Sequence, residues 1–153
     1  MYKHLLVPLD GSKLAEDALP HAEAIARRFQ SKITLFQVAP VVPIPPSVDP
    51  MTGTGNEAIV ALEASETAEL EARQYLKEVA SRPILESIAV TQEVTRGKAA
   101  REIVQRANKR DIDLIVMSTH GRSGLGRLVF GSVAEAVLRE SGTPILLIHS
   151  REK

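Results

Sequence analysis

Residues 114–140 read LIVMSTHGRSGLGRLVFGSVAEAVLRE and hold a strand, a glycine-rich loop and a helix in that order. The apolar run at residues 114–117 predicts a buried strand. Residues 132–140 predict a helix, which Gly142, Thr143 and Pro144 then end. A buried strand that passes through a loop into a helix is typical of a parallel sheet covered by helices. This unit therefore predicts an α/β fold.

The same alternation of apolar runs and helical patterns continues on both sides of this unit. Four further strands are predicted at residues 5–7, 33–38, 88–94 and 145–148. Three further helices are predicted at residues 12–29, 57–80 and about 98–108, the first kinked at Pro20 and the second with Leu62 facing inward. Residues 39–56 contain five prolines and predict a long loop, either a lid over a ligand or a passive connection.

The composition fits one domain over residues 1–153 and excludes several classes of function. Aromatic residues make up 3% of the chain and there is no Trp, which argues against base stacking on single-stranded nucleic acid. The 19 basic and 19 acidic residues cancel, so the molecule has no long-range field for nucleic acid or an anionic membrane. The absence of Cys excludes disulfides, thiolate metal sites and cysteine nucleophiles.

The two parts of the chain differ in charge and suggest where an anion would bind. Residues 1–95 hold 8 basic and 13 acidic residues, whereas residues 96–153 hold 11 basic and 6 acidic ones. We therefore expect the positive charge near the glycine-rich loop.

No apolar run approaches the roughly 18 residues of a membrane span, and the first four residues lead directly into a strand without a signal peptide. We therefore expect a cytoplasmic protein.

The glycine-rich loop has the residue types of a phosphate site. Its four glycines let the backbone approach a ligand, so that successive N–H groups point at one anion. Gly131 and Ser132 fall at a helix N-terminus, which favours negative charge, and Arg122 and Arg127 can neutralise the bound group. The alternative is an ordinary turn in which Ser132 is merely the helix N-cap.

Polar side chains at two other strand ends extend this candidate site. In open parallel sheets, ligands bind beyond the carboxyl ends of the strands, here after Val7, near Val38 and after Met117. Asp10 follows the first strand, where it can accept from ribose hydroxyls or serve as a turn or N-cap aspartate. His120 can contact a phosphate, act as an acid or stabilise the turn, and these readings stay open. His4 flanks the first apolar strand and is expected either at the surface or at the strand end.

At these residues the sequence resembles the universal stress proteins, in their ATP-binding branch. That branch carries Gly, two residues, Gly, nine residues, Gly and then Ser or Thr. Gly121, Gly131 and Ser132 match this pattern, and Ser118 stands at the position of the first glycine. The resemblance extends from VPLDGS at residues 7–12 to TPILLI at residues 143–148. If the family glycine has a positive φ, a serine there is expected to cost roughly 1–2 kcal/mol.

The resemblance implies a fold, a ligand and a set of site residues. The fold would be a five-stranded parallel sheet of order 3-2-1-4-5 with two helices on each face, adenine-nucleotide alpha-hydrolase-like. The ligand would be ATP, or ADP or AMP, with Mg²⁺ arriving on the phosphates. The expected nucleotide-binding residues are Pro8, Leu9, Asp10, Val38, Met117, Ser118, His120, Gly121, Arg122, Gly124, Arg127, Gly131, Ser132 and Val133. Of these, Pro8, Asp10 and Val38 would lie against the base and ribose.

Three functions remain open from the sequence. The first is a ligand-dependent stress or signalling regulator with an unknown protein partner, since no general base for hydrolysis is visible. The second is a slow ATPase or phosphotransferase, and the third is a dimeric scaffold that no longer binds nucleotide, as Ser118 would allow. The last strand is apolar at a sheet edge and predicts a homodimer through Ile145, Leu146, Leu147 and Ile148, unless residues 150–153 cover that edge.

Overall fold

The computed structural model describes residues 1–44, 56–109, 111–120 and 131–149. The strands are β1 (His4–Leu9), β2 (Lys32–Ala39), β3 (Val90–Arg96), β4 (Leu114–Ser118) and β5 (Ile145–Ile148). The helices are α1 (Lys13–Glu16), α2 (Ala18–Phe29), α3 (Asn56–Ala80), α4 (Ala99–Ala107) and α5 (Ser132–Glu140), with a 3₁₀ turn at Pro83–Leu85. The five predicted strands and the helix at residues 132–140 are confirmed.

The sheet is parallel throughout, with strand order β3-β2-β1-β4-β5. This confirms the order expected from the family resemblance. β1 and β4 lie in the interior of the sheet and are buried along their whole length, as continuous apolar runs in a parallel sheet require. In the described part of the chain, β3 and β5 are the edge strands and are only partly buried.

Two separate apolar layers cover the two faces of the sheet. Helices α1, α2 and α3 pack on one face, where Leu5, Val7 and Leu35 belong to the same buried cluster as Leu19 and Leu76. Helices α4 and α5 pack on the other face; its buried cluster joins Leu6, Phe36, Ile115, Ile103 and Val137. The arrangement of two helical layers is confirmed, with α1 and α2 occupying the place of one predicted helix.

Two details of the helices differ from the sequence-based expectation. The predicted kink at Pro20 is instead a break at Asp17, between α1 and α2. The reason is that a proline ring disturbs the preceding turn, and Pro20 itself sits in the first turn of α2, where its missing N–H costs little. Leu62 was expected inward but is 53% exposed. Residues 58–62 are all apolar, so the pattern does not define which of these five residues face inward at the start of α3.

His4 is the first residue of β1, as the strand-end alternative expects, but its side chain lies in the interior and not at the surface. Its ring is 4% exposed, and Nε2 lies 2.7 Å from Oγ1 of Thr34, which in turn lies 2.8 Å from Oγ1 of Thr91. Burial is the main reason that the pKa of His4 is lowered, although Asp111, 3.3 Å away, opposes the shift. A chain of polar side chains therefore joins β1, β2 and β3 at the end of the sheet where these strands begin.

Arg106 of α4 closes this polar group from the helical side. Its guanidinium donates to Glu93 at 2.6 and 3.0 Å and to Asp111 at 3.0 and 3.3 Å. These bonds hold the pKa of both carboxyl groups below the ordinary values. The buried guanidinium thus fixes α4 to β3 and to the segment before β4.

Within the described ranges, no helix combines the length and the apolar character needed to cross a membrane.

Candidate functional site

A cavity of about 220 Å³ opens at the carboxyl ends of the central strands. It is placed by the topology, because the connection after β1 crosses one face of the sheet and the connection after β4 crosses the other. This divergence leaves a crevice between β1 and β4, which is where doubly wound sheets bind ligands. The cavity is lined by Pro8, Leu9, Asp10, Ala15, Val38, Ala99, Ile103, Met117, Ser118, Thr119, His120, Gly131, Ser132, Val133 and Ala134.

Every predicted nucleotide-binding residue in the described ranges lines this one cavity. They come from the end of β1, the end of β2, the end of β4 and the start of α5. Gly121, Arg122, Gly124 and Arg127 lie outside the described residues. The lining that is described is mostly apolar, and its titratable side chains are Asp10 and His120.

Ser118 is accommodated without backbone strain. It is the last residue of β4 and does not belong to the described residues with positive φ. Its hydroxyl donates to the carbonyl oxygen of His120 at 2.6 Å and accepts the backbone N–H of the same residue at 3.2 Å. The expected penalty for replacing the family glycine is therefore absent, and the serine closes the turn that leaves the strand.

Thr119 connects the end of β4 to both neighbouring elements. Its N–H donates to the carbonyl oxygen of Ile148 at 2.8 Å, and its own carbonyl accepts the N–H of Gly131 at 2.8 Å. A Cβ at Gly131 would lie 3.0 Å from that carbonyl oxygen, tighter than ordinary contact. Glycine is therefore required here for a close backbone approach, and its N–H is already engaged.

The side chain of Thr119 also contacts two histidines, of which His120 lines the cavity. Its hydroxyl lies 3.0 Å from Nδ1 of His120 and 3.5 Å from Nδ1 of His149, and the two rings meet edge to face with centroids 6.0 Å apart. His120 is buried, and its Nε2 has no hydrogen-bond partner among the described residues. A buried ring nitrogen of this kind can bond to a ligand.

Asp10 occupies the turn between β1 and α1. Its carboxylate accepts the N–H of Ser12 at 2.9 Å and the hydroxyl of Ser12 at 2.6 Å, while Ser12 caps α1 by accepting the N–H of Ala15 at 3.2 Å. Asp10 is therefore a turn aspartate and not the helix N-cap, which is Ser12. Asp10 also lies in the cavity lining, and a carboxylate is a group that accepts hydrogen bonds from hydroxyls.

The N-terminus of α5 forms one wall of the cavity. Gly131 is the N-cap residue of α5, and no side-chain hydrogen bond caps this end of the helix. The alternative in which Ser132 is the N-cap is therefore wrong. Ser132 is the first helical residue and is exposed, and it is followed by Val133 and Ala134 in the first turn. The first N–H groups of a helix have no partner within the helix, so this end presents donors and a positive dipole to the cavity.

Five lining residues were not predicted from the sequence. They are Ala15, Ala99, Ile103, Thr119 and Ala134. Four of them are small or apolar helical residues, whose types are equally suited to ordinary core packing. Thr119 stands between two predicted residues, Ser118 and His120, and its position in the loop was the only signal available.

The fold and cavity define a doubly wound α/β protein with a pocket at its topological switch point. The model of the universal stress protein family matches residues 1–149, and the chain belongs to this family. The universal stress protein MJ0531 of Methanocaldococcus jannaschii is 33% identical over 153 residues, covering 100% of this chain and 85% of the relative. Both the family resemblance and the fold class expected from it are confirmed.

Two solved structures extend the comparison. That of the hypothetical protein MJ0577, from Methanocaldococcus jannaschii, matches with a TM-score of 0.83 at 26% identity and covers 100% of this chain and 99% of that one. The universal stress protein family protein At3g01520 of Arabidopsis thaliana, solved with AMP bound, matches with a TM-score of 0.61. It is 14% identical, with 97% of this chain and 92% of that chain covered, so this likeness shows the fold alone.

Proposed function

We propose that this protein binds an adenine nucleotide in the cavity between β1 and β4 and acts as a ligand-dependent regulator. The observation that carries the proposal is the convergence of Asp10, Val38, Ser118 and Ser132, from four different elements, on one cavity. The ligand would be ATP with Mg²⁺, or ADP or AMP, and its occupancy would change association with a protein partner.

The size and lining of the cavity support a division of the ligand into two parts. Its volume of about 220 Å³ is below the roughly 300–1,000 Å³ of pockets that enclose a drug-sized ligand. The apolar side chains of Val38, Ile103 and Met117 suit a flat base, and the carboxylate of Asp10 suits ribose hydroxyls. We therefore assign the enclosed part to adenosine and the phosphates to the mouth.

The phosphates would lie at the N-terminus of α5. This end combines helical N–H groups that have no partner within the helix, the hydroxyl of Ser132 and the imidazole of His120. The N–H of Gly131 is not available to them, since it donates to Thr119. Gly121, Arg122, Gly124 and Arg127 would complete the phosphate contacts, and Mg²⁺ would be carried by the phosphate oxygens.

The choice of an adenine nucleotide agrees with At3g01520, a protein of the same fold that was solved with AMP bound.

A homodimer through β5 belongs to the same proposal. Ile145, Leu146, Leu147 and Ile148 form an apolar strand that is partly exposed, and no described strand pairs with its outer side. Such an edge is suited to pairing with the same strand of a second copy.

The experiment that tests the proposed function is a calorimetric titration with five compounds: ATP with Mg²⁺, ADP, AMP, adenosine and GTP. Binding of the adenine compounds, with little or no binding of GTP, is the expected result. An absence of binding by every adenine compound would contradict the proposal and favour the scaffold without nucleotide. Incubation with Mg²⁺ and ATP then tests for slow turnover, which the regulator does not require.

A further inference from the structure

The first two thirds of α3 expose both apolar and acidic side chains. Ile59, Val60, Leu62 and Leu70 are each more than half exposed. The same stretch, residues 56–72, contains five glutamates and no Lys or Arg. Glu69 is paired with Arg73 and Arg96, whereas Glu57, Glu63, Glu66 and Glu71 form no ion pair with any described residue. Exposed apolar side chains among unpaired carboxylates are typical of a binding surface.

A groove gives this surface a defined shape. It measures about 310 Å³ and is lined by Val42, Pro43, Asn56, Glu57, Val60, Ala61 and Ala64. Its wall on the β2 side is fixed, because the N–H of Val42 donates to the hydroxyl of Ser65 at 3.0 Å and that hydroxyl donates to the carbonyl of Ala61 at 2.8 Å. These bonds fix the position of the chain after β2 against α3 and so define one side of the groove.

A stripe of exposed helix residues runs from the groove along one side of α3. Glu57, Val60, Ala64, Thr67 and Glu71 are spaced three and four residues apart, so they follow one stripe of α3. A second depression, lined by Leu70, Glu71, Gln74, Tyr75 and Glu78, lies further along the helix. At 1.5 Å per residue, Glu57 and Glu71 are about 20 Å apart along the axis. The stripe thus fits an elongated occupant with charges near both ends.

Charge distinguishes between the possible occupants. A second copy that paired through the same surface would bring its own five glutamates against it, and like charges at close range oppose association. Residues 45–55 of the same chain contain a single charged residue, Asp49, and no basic one. We propose that the groove lined by Val42, Val60 and Ala64 binds a segment of a partner protein, and that the apolar side chains of this segment are flanked by lysines or arginines. This mode of recognition combines an apolar anchor with charge complementarity.

The test is fluorescence anisotropy with a labelled synthetic amphipathic peptide of leucine and lysine. Val60→Ser removes the apolar anchor, and the double variant Glu57→Lys, Glu71→Lys reverses the charge at both ends. Leu138→Ser and Glu140→Lys, at exposed positions of α5, are the matched controls. All of these positions are exposed, so each variant is expected to fold, which circular dichroism checks.

The native chain is expected to bind the peptide, and each groove variant to bind at least about fivefold more weakly. The α5 controls should bind as the native chain does, and a peptide with glutamate in place of lysine should not bind. No binding by the native chain, equal losses in the controls, or equal binding of the acidic peptide would each overturn the proposal. A concentration-dependent dimer that Val60→Ser abolishes in sedimentation would assign the groove to a second copy instead.

Discussion

Gly131 donates its backbone N–H to the carbonyl oxygen of Thr119 over 2.8 Å, and this bond joins the end of β4 to the start of α5. The same threonine donates its own N–H to Ile148 of β5. One residue therefore links the wall of the cavity, the helix that would receive the phosphates and the edge strand. The geometry of the candidate site depends on backbone contacts as much as on side chains.

Substitution of Gly131 by Ala is expected to destabilise the fold. The new Cβ would lie 3.0 Å from the carbonyl oxygen of Thr119, so one of the two backbones must shift. We expect a loss of about 1–3 kcal/mol in the free energy of unfolding, measured by denaturant titration. The matched control is Gly142→Ala, whose nearest neighbour is 4.0 Å away and whose cost should stay within about 0.5 kcal/mol. Equal effects of the two substitutions would contradict the close approach at Gly131.

Substitution of Ser118 by Gly restores the family pattern but removes two hydrogen bonds to His120. Because Ser118 has no positive φ, glycine brings no relief of strain and adds freedom to the unfolded chain. The expected result is a loss of about 1–2 kcal/mol in unfolding free energy, with no gain in ATP affinity. A variant that is as stable as the native chain and binds ATP more tightly would show that Ser118 obstructs the site.

The buried His4 should make stability depend on pH near neutrality. Burial, and to a lesser extent Lys32 and Arg106, lower its pKa in the folded chain, while Asp111 opposes them. The unfolded chain therefore takes up this proton at a higher pH than the folded chain does. Stability is full above about pH 6.5 and is lost as the pH falls through the lowered pKa.

Denaturant titrations at a series of pH values measure this dependence, and His4→Gln should remove it. The carboxyl groups of Glu93 and Asp111 have lowered pKa values, so their contribution is lost in a more acidic range, below about pH 4.5. The pH range in which His4 affects stability is thus distinct from that of Glu93 and Asp111. An identical pH profile for the native chain and His4→Gln would contradict the assignment to His4.

The edge of β5 offers a backbone test of the proposed homodimer. The carbonyls of Pro144 and Ile148 accept from Ile115 and Thr119, so the backbone of Leu147 points away from β4. Leu147→Pro removes an outward N–H, and Leu147→Ala removes the same side chain but keeps that N–H. In sedimentation we expect a dimer for the native chain and for Leu147→Ala, and a monomer for Leu147→Pro. A dimer in all three would place the interface elsewhere.

The order of elements could be predicted because the central strands are continuous apolar runs separated by helical patterns. β5 and α5 were predicted residue for residue, whereas the strand predicted from Ile88 begins at Val90, after the 3₁₀ turn at Pro83–Leu85. At the start of α3, five consecutive apolar residues satisfy several helical patterns at once, so the sequence does not define which of them face inward. Leu62 was placed inward for this reason and is exposed.

The candidate site could be predicted to the level of strand ends but not of individual bonds. Asp10, Val38 and Ser118 lie close together because parallel strands end at one edge of the sheet. Their positions at the strand ends in the sequence are enough to predict this. The engaged N–H of Gly131 could not be predicted, because it depends on a carbonyl twelve residues earlier in the chain. The burial of His4 depends in the same way on Thr34 and Thr91, which only the folded sheet brings beside it.

The central claim, that the N-terminus of α5 receives the phosphates of an adenine nucleotide, is tested most directly at Ser132. Ser132→Glu places a negative charge that favours the helix but repels a phosphate, and Ser132→Gln has the same size without the charge. In calorimetric titration with ATP and Mg²⁺, the native chain and the Gln variant should bind, and the Glu variant should bind at least about tenfold more weakly. Equal affinities in all three chains would place the phosphates away from α5 and contradict the account.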